Sequence, residues 1–402
     1  MSLPVTAADH LALRRTRIDS IDIVRGAVMV LMAIDHVRVY SGLPAGGPTP
    51  GIFFTRWITH FCAPAFVFLA GTSAFLYESR SGGVSHDLAK PLPTSISRFL
   101  LTRGAWLVLL ELTVIRVSWT FNLDYAHYML AGVIWMIGVC MMLMAGIVRL
   151  PLWAVTAFGL AIVAGHNAID PFLPQVIAAL GHSRVPVLWQ VLYFGPIPLG
   201  EGSRFLVLYS FVPWIGVMAI GYAFGAVLQM EDRRQRQWCL AIGLGAVALF
   251  LLLRGFNLYG DPRPWAGSLR SFLSTAKYPA SLSFLLMTLG PVIALMPFLT
   301  HARSPITRAL AVFGRVPFFF YLLHIPLIHV LAIVVSQIRL GAVSPWLFTN
   351  HPMGNPPPPD GYTWSLPLLY LVWAIAVVLL YVASRWFDRV KRTRRAWWAS
   401  YV

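Results

Sequence analysis

Residues 21–41 read IDIVRGAVMVLMAIDHVRVYS, an apolar run long enough to cross a lipid bilayer as a helix, which takes about 20 residues. Similar runs recur along the 402 residues, of which 58% are hydrophobic. Only 11% are charged, against about 25% in soluble domains. Because backbone groups in lipid must bond within their own segment, these runs are expected to be helices. The sequence therefore predicts an all-α, polytopic integral membrane protein.

About ten runs are predicted to span the membrane. They cover residues 21–41, 55–77, 99–119, 128–148, 152–170, 204–228, 238–258, 279–300, 316–338 and 364–386. The fifth run continues to about residue 180 and contains Gly165, His166, Asn167 and Asp170, so it is expected to be broken or re-entrant. No separate soluble domain is evident. Residues 1–402 are interpreted as a single transmembrane domain.

Lysine and arginine outside the spans predict the orientation, because cytoplasmic loops carry an excess of both. Nineteen lie on the side of the N-terminus and seven on the other. Ten spans keep both termini on the richer side, so residues 1–20 and the basic tail at 387–402 are predicted to be cytoplasmic. The net charge of +16 follows from this topology and from attraction to anionic lipid. No compact soluble domain carries it, which argues against nucleic-acid binding.

The first span concentrates ionisable residues, which are costly in lipid and usually face a protein interior or a cavity. At 100° per residue, Asp22, Arg25 and His36 share one stripe of the helix, and Arg25 and His36 are about 16 Å apart along its axis. Asp35 lies about 100° from His36, so no direct contact between the two is expected. Two interpretations remain open: a cavity-lining helix, or an Asp22–Arg25 ion pair at a helix end with an interfacial His36.

Further polar candidates lie in the second and ninth spans and in the predicted outer loops. Thr59 and His60 open the second span. Tyr321 and His324 are i,i+3 neighbours in the ninth, just after Arg315. The predicted outer loops contain Asn122, Asp124, Tyr125, His127, Arg270, Lys277 and Tyr278. Cys62, Cys140 and Cys239 show neither disulfide nor zinc spacing, and no metal site is predicted.

Three motifs carry a resemblance to a known family. Arg17-x-Asp19-Ser20-Ile21-Asp22-x-x-Arg25-Gly26 is followed by Leu31-Met32-Ala33-x-Asp35-His36-x-Arg38. Thr59-His60-Phe61-Cys62-Ala63-Pro64 runs on to Phe68-Leu69-Ala70-Gly71, and Phe313-Gly314-Arg315-Val316-Pro317 to Tyr321-Leu322-Leu323-His324. The chain thereby resembles the transmembrane acyltransferases of the heparan-α-glucosaminide N-acetyltransferase family and their bacterial relatives, over residues 17–77 and 310–330.

The resemblance implies acyl transfer from cytoplasmic acetyl-CoA or another acyl-CoA to an amine or hydroxyl of an extracytoplasmic glycan or other sugar-containing acceptor. It implies His36 as the base, with Asp35 beside it. His60 is the alternative, since the lysosomal enzyme has its catalytic histidine before its second span. Oxyanion donors are sought among Thr59, Tyr125 and Lys277. The candidates for the CoA site are Asp22, Arg25, Arg103, Arg315, Tyr321 and His324. A bacterial inner membrane is the expected location.

Two other functions fit the same residues. A secondary transporter or flippase would use Asp22, Asp35, His36 and His324 as proton or substrate sites. A membrane scaffold would hold the buried charges as structural groups only. The sequence leaves the acceptor, the acyl chain length and the oligomeric state open.

Overall fold

The computed structural model describes residues 19–80, 94–172, 204–352 and 356–393, with isolated positions between 175 and 198. The helices are α1 (Asp19–Ser41), α2 (Pro50–Trp57), α3 (Cys62–Arg80), α4 (Thr94–Leu110), α5 (Arg116–Thr120), α6 (Val133–Ile147), α7 (Leu152–Gly165), α8 (Val212–Val227), α9 (Asp232–Gly255), α10 (Leu269–Leu273), α11 (Leu282–Leu299), α12 (Pro305–Arg315), α13 (Pro317–Leu340) and α14 (Leu366–Thr393). Short 3₁₀ segments lie at Ile58–Phe61, His166–Phe172 and Pro345–Phe348. The predicted cytoplasmic ends, 1–18 and 394–402, lie outside the described residues.

Six helical segments within these ranges are long and apolar enough to cross a membrane. They are Pro50–Arg80, Leu152–Phe172, Asp232–Gly255, Leu282–Leu299, Pro317–Leu340 and Leu366–Thr393. The helices α6 and α8 are apolar but shorter. The predicted helical membrane class is thus confirmed. The number of ten crossings, the orientation of the two ends and the single domain stay predictions.

Two predicted spans begin as strands rather than helices. In the described part of the chain, β1 (Tyr128–Ala131) pairs in parallel with β3 (Arg204–Val207), and β2 (Ile197–Pro198) pairs with β3 in antiparallel fashion. Helix periodicity does not reveal this, because the strands are as apolar as the helices that follow them. Tyr128, Leu130 and Val207 are buried in protein, where non-helical backbone is tolerated at membrane depth.

The fifth predicted span changes character where its polar residues begin. The α-helix ends at Gly165, and the 3₁₀ segment His166–Phe172 follows. Asn167 Oδ1 accepts a hydrogen bond of 2.8 Å from the backbone N–H of Leu282. The polar side chain therefore supplies an acceptor to the first turn of α11 rather than facing lipid.

The helix α1 lies at the centre of the described fold. Seventeen of its 23 residues are buried, and it contacts α3, α11, α12, α13 and α14. The crossing of α1 with α12 is closest at two glycines: a Cβ on Gly26 would overlap the Leu310 carbonyl, and one on Gly314 would overlap the Asp22 carbonyl. The Arg25-Gly26 and Phe313-Gly314-Arg315 motifs therefore meet in space, which explains why both need glycine.

Candidate functional site

A large cavity of about 710 Å³ opens beside the first half of α1, on the predicted cytoplasmic side. Among its described lining residues are four cations, Arg25, Arg80, Arg103 and Lys391, and one acid, Asp22. Such a volume is in the range of small-molecule and cofactor sites. The excess of positive charge favours an anionic ligand. We call this space the large cavity.

Arg25 is fixed at the wall of the large cavity by contacts to three helices. Its Nη2 donates to Ser73 Oγ on α3 at 2.7 Å, and its Nη1 donates to the Gly314 carbonyl on α12 at 3.3 Å. Asp22 on α1 lies 3.7 Å from the same guanidinium. The predicted Asp22–Arg25 pair is therefore present and also faces the cavity, so the two interpretations of this pair do not exclude each other.

Two residues predicted for the CoA site lie in different places. Tyr321 lines the large cavity. Arg315 is not among the lining residues; its Nε and Nη2 bind both oxygens of Asp388 on α14 at 2.8–3.1 Å. A paired guanidinium has less charge to offer a phosphate, so the geometry favours a structural role for Arg315.

A small cavity lies beyond the large one along α1. Its described walls comprise Met32, Asp35, His36, Thr59, Cys62, Ala63, Phe66, Val133, Tyr209 and Lys277, around a volume of about 40 Å³. Phe66 and Val133 belong to the walls of both cavities. These two side chains therefore separate the cationic space from the histidine-lined space, which we call the small cavity.

His36 is held by a second histidine from α13. His36 Nδ1 and His324 Nε2 are 2.7 Å apart, and His324 Nδ1 lies 2.6 Å from the Tyr321 carbonyl oxygen. A carbonyl only accepts, so His324 carries its proton on Nδ1 and, as a neutral ring, accepts through Nε2. His36 then donates from Nδ1, which leaves its Nε2 lone pair as the basic atom. The pairing sets the tautomer that a general base needs.

Asp35 does not orient His36, in agreement with its predicted place around the helix. Its Oδ1 accepts from Arg38 Nε at 2.8 Å and its Oδ2 from Arg56 Nη1 at 2.6 Å. Arg38 also donates to the Leu43 carbonyl at 2.8 Å. The carboxylate therefore ties the C-terminal end of α1 to α2 and neutralises part of two guanidinium charges.

His60, the alternative base, lies outside the wall of the small cavity. His60 is not among the residues that line it; its ring centroid is 5.5 Å from that of Phe284, and its Nδ1 is buried without a hydrogen bond. The 3₁₀ turn Ile58–Phe61 places Thr59 on the cavity wall and His60 beside α11.

The three candidate oxyanion donors differ in whether they line the small cavity and in whether their donor groups are already used. Thr59 lines the small cavity, but its hydroxyl donates to the Arg56 carbonyl at 2.7 Å. Tyr125 is absent from the lining; its hydroxyl is 3.4 Å from the Thr113 carbonyl and its ring lies under Arg116. Lys277 lines the cavity, with its ammonium above the rings of Tyr209 and Tyr278. Its N–H groups are the best placed donors of the three.

Glu111 is a residue of this region that the sequence reasoning missed. It begins a π-helical turn, Glu111–Ile115, between α4 and α5. Its Oε1 accepts from the backbone N–H of Gly132 at 3.1 Å, and its Oε2 lies 3.4 Å from the Tyr321 hydroxyl. A carboxylate at the start of α6 is favoured by the helix dipole and holds Val133 between the two cavities. The feature of the sequence that could have indicated Glu111 is that it is a lone glutamate within an apolar run.

A buried arginine was missed as well. Arg116 is fully buried and donates to the carbonyls of Asn122, Asp124 and Tyr128. It organises the loop, predicted to face outwards, that contains Asn122, Asp124, Tyr125 and His127, none of which lines the small cavity. In the described ranges, no group of three or more histidine, cysteine, aspartate or glutamate side chains is placed to hold a metal ion.

The helices and their enclosed ionisable groups define an integral membrane protein with an internal site. The chain belongs to the family of heparan-alpha-glucosaminide N-acetyltransferase, catalytic, whose profile matches residues 17–258, more than half of its length. The resemblance noted in the sequence is thereby confirmed, and membership makes the protein a transferase with membrane acetyltransferase-like activity. The match ends before the motif at 313–324. None of the curated proteins compared with the chain matches it.

Proposed function

We propose that the protein transfers an acyl group, such as acetyl, from cytoplasmic acyl-CoA to a hydroxyl or amine of a sugar-containing acceptor outside the cytoplasm. The observation that carries the proposal is the meeting of two unlike cavities on α1. The large cavity is cationic and the small one presents His36, and Phe66 and Val133 are the wall between them. A donor with a charged head and a thin reactive arm fits this shape.

The large cavity would hold the CoA head. Arg25, Arg80, Arg103 and Lys391 supply positive charge for its phosphates, and Arg is suited to phosphate because its fork donates two parallel hydrogen bonds. Arg25 and His36 are eleven residues apart on one helix, about 16 Å along the axis. The pantetheine arm would follow α1 past Phe66 and bring the thioester to the small cavity.

His36 would act as the general base from Nε2. The acceptor oxygen or nitrogen attacks the thioester carbonyl while His36 takes its proton, and the tetrahedral intermediate collapses with cleavage of the C–S bond. The proton then passes from His36 to the departing sulfur, which leaves as the CoA thiol. Lys277 would stabilise the oxyanion, and His324 would position the base through the 2.7 Å hydrogen bond.

The membrane topology and the compartments of the two substrates are part of the same proposal. With both termini in the cytoplasm and ten crossings, CoA reaches the large cavity from inside and the acceptor reaches the small cavity from outside. A bacterial inner membrane provides both compartments. The extracytoplasmic glycan or sugar-containing acceptor remains part of the proposal, since the family name supplies only a precedent.

The test uses the full chain purified in detergent. Binding of acetyl-CoA is measured by calorimetry, and its turnover by release of free CoA thiol. We expect binding in the wild type and in His36→Ala, with turnover only in the wild type. Absence of both binding and turnover would defeat the proposal and favour the transporter alternative, which uses no thioester. Full activity in His36→Ala together with its loss in His60→Ala would move the base to His60.

A further inference from the structure

A third cavity lies between the C-terminal end of α9 and the first turn of α11, on the predicted outer side. Its volume is about 240 Å³, and its described polar lining residues are Arg254, Asn257, Tyr259, Asp261 and Ser283. This volume is slightly below the ~300–1,000 Å³ of sites for drug-sized ligands. The space therefore suits a ligand of about the size of one sugar ring. We call it the polar cavity.

The described wall of the polar cavity carries no net charge. Arg254 is its one cation and Asp261 its one acid, and Arg254 Nη1 lies 3.5 Å from Asp261 Oδ1. Arg254 also donates, at 2.6–3.2 Å, to the backbone carbonyls of Arg263, Ser271, Phe272 and Ser274. These bonds use the donors of the guanidinium, which is therefore not available to an anionic ligand.

Asp261 is occupied by the chain around it. Its Oδ1 accepts from the Arg263 N–H at 3.1 Å, and its Oδ2 accepts from the Ala276 N–H at 2.9 Å and from the Ser281 hydroxyl at 3.0 Å. Ala276 directly precedes Lys277, which lines the small cavity. The carboxylate therefore fixes the segment that joins the wall of the polar cavity to the wall of the small cavity.

The first turn of α11 is already capped. The N–H groups of Leu282, Ser283 and Phe284 donate at 2.8, 2.8 and 3.1 Å to Asn167 Oδ1, the Gly260 carbonyl and Ser281 Oγ. A phosphate or carboxylate in the polar cavity would thus find neither a free guanidinium nor free backbone N–H groups on the described wall. The cavity is not suited to an anion.

Ser283 provides the observation that points to a ligand. The residue lines the polar cavity and is fully buried, and its Oγ has no hydrogen-bond partner among the described residues. Buried hydroxyls are nearly always hydrogen-bonded, so an unbonded one needs an explanation. A ligand with its own hydroxyl groups supplies the missing partner.

Two further groups on this wall keep hydrogen-bonding capacity. Asn257 Oδ1 accepts from the Trp265 N–H at 3.0 Å, whereas the side-chain N–H groups of Asn257 have no partner within the described ranges. Tyr259 donates its hydroxyl proton to the Ala164 carbonyl at 2.6 Å, so its oxygen can still accept. Together with the Ser283 hydroxyl, the wall offers a donor, an acceptor and a group that can be either.

We infer that the polar cavity binds a neutral sugar unit, held through its hydroxyl groups by Ser283, Asn257 and Tyr259. Sugar hydroxyls donate and accept, as this mixed set requires, and a neutral ring matches a wall without net charge. The inference rests on the proposed function, because it makes this unit the neighbour of the sugar that reacts at His36. The acceptor is then a glycan of two or more units.

The first test measures binding of neutral sugars to the purified full chain without acyl-CoA. The detergent must have a head group without sugar, since a sugar head group would compete for the site. Glucose, galactose and N-acetylglucosamine are the probes, glucuronate is the matched anion of glucose, and saturation-transfer NMR gives each Kd. We expect a neutral sugar to bind about threefold to tenfold more tightly than glucuronate, whose carboxylate would lose water without gaining a cation.

Variants connect this binding to the polar cavity. Ser283→Ala removes the unbonded hydroxyl and should raise Kd about threefold to tenfold without a loss of stability. Asn257→Asp keeps an acceptor for Trp265 and suits the φ of 51°, but it loses the free N–H donors, so a similar rise is expected. Ser384→Ala is the control: this serine on α14 is also buried and unbonded within the described residues, and it does not line the polar cavity. Its Kd should be unchanged.

The second test examines the role of the site in transfer. Glucosamine is compared with the disaccharide in which glucosamine is linked to N-acetylglucosamine, using acetyl-CoA as donor. In the wild type, kcat/KM should be at least about threefold higher for the disaccharide, because the second unit adds hydrogen bonds on the same ligand. Ser283→Ala should remove this advantage and leave kcat/KM for glucosamine unchanged.

Three results would overturn the inference. These are the absence of measurable binding for the three neutral sugars, an equal rise of Kd in Ser283→Ala and Ser384→Ala, and equal kcat/KM for the two acceptors in the wild type. In each case, release of CoA thiol that depends on His36 leaves the proposed function standing. Sugar binding that depends on Ser283, in a chain that neither binds nor cleaves acetyl-CoA, would instead defeat the proposed function and keep the sugar site.

Discussion

The two ends of α1 differ in whether their charged groups face an open cavity or are bound to each other. At the first end, Arg25 shares the wide, open wall of the large cavity with three further cations and one acid. At the other end, Asp35 is locked between Arg38 and Arg56 beside a cavity of about 40 Å³. The first arrangement leaves charge accessible to a large ligand that must enter and leave. The second fixes geometry, with two short ion pairs holding the turn that carries His36.

Under the proposed function, ligand binding belongs to one end of α1 and chemistry to the other. A variant at the first end should therefore change KM for acyl-CoA, and a variant at the second end should change kcat. The first three of the following predictions test this division, and the fourth tests the wall between the two cavities.

The largest effect is expected for the base. His36→Gln should lower kcat for acetyl transfer by about 10²- to 10⁴-fold, because no side chain then takes the acceptor proton. Its KM for acetyl-CoA should stay within a few-fold of the wild type. Steady-state kinetics measure both quantities. His60→Gln is the matched control, since His60 lies beside Phe284 and not in the small cavity. A larger loss in the control than in His36→Gln would reverse the assignment.

A smaller effect is expected for the positioning histidine. His324→Leu keeps bulk but removes the acceptor for His36 Nδ1, so kcat should fall about tenfold to a hundredfold at constant KM. The control is His329→Leu on the same helix, whose ring contacts the Ser118 carbonyl and the Phe121 ring instead. Equal losses in both variants would indicate a general packing defect in α13.

At the other end of α1, Arg25→Gln should raise KM for acetyl-CoA about tenfold with little change in kcat, because one charged contact to phosphate is lost. Arg303→Gln removes a cation on the same side that pairs with Asp19 at 2.8 Å and does not line the large cavity. It should leave KM unchanged. A fall in kcat without a rise in KM for Arg25→Gln would contradict the division between the two ends.

The smallest effect concerns the wall between the cavities. Phe66→Ala should raise kcat/KM for butyryl-CoA relative to acetyl-CoA about five- to tenfold, since a longer acyl chain gains room beside His36. Phe68→Ala removes the same ring from the same helix at a buried position against Phe224, outside both cavities. Its acyl preference should match the wild type. An unchanged ratio in Phe66→Ala would show that this side chain does not limit acyl length.

The sequence predicted what depends on local periodicity. The helical period placed Asp22 and Arg25 on one stripe with His36, and in the structure this stripe lines the two cavities. It also separated Asp35 from His36. What it did not supply was the partner of each group: His324 is 288 positions from His36, and Asp388 is 73 from Arg315. Such pairings depend on how the helices pack, and the pattern of a single sequence does not show this.

Local distortions escaped prediction for another reason. The π turn at Glu111–Ile115 and the strands that begin two predicted spans are as apolar as regular helix, so hydropathy does not separate them. The fifth span differs, because its polar residues marked the change to 3₁₀ geometry. The pairing of Glu111 with the start of α6 shows that a single acid in an apolar run can indicate such a distortion.

The placement of Arg25 and His36 on one continuous helix has a consequence for how this protein can evolve. The number of helical residues between them sets both their distance along the axis and their angle around it. One inserted residue between them would advance His36 by about 1.5 Å and turn it by about 100° away from His324. A surface loop can absorb an added residue at little cost, whereas this eleven-residue interval tolerates substitutions but not insertions or deletions. Under the proposed function, the length of this interval constrains the protein as much as the side chains of Arg25 and His36 do.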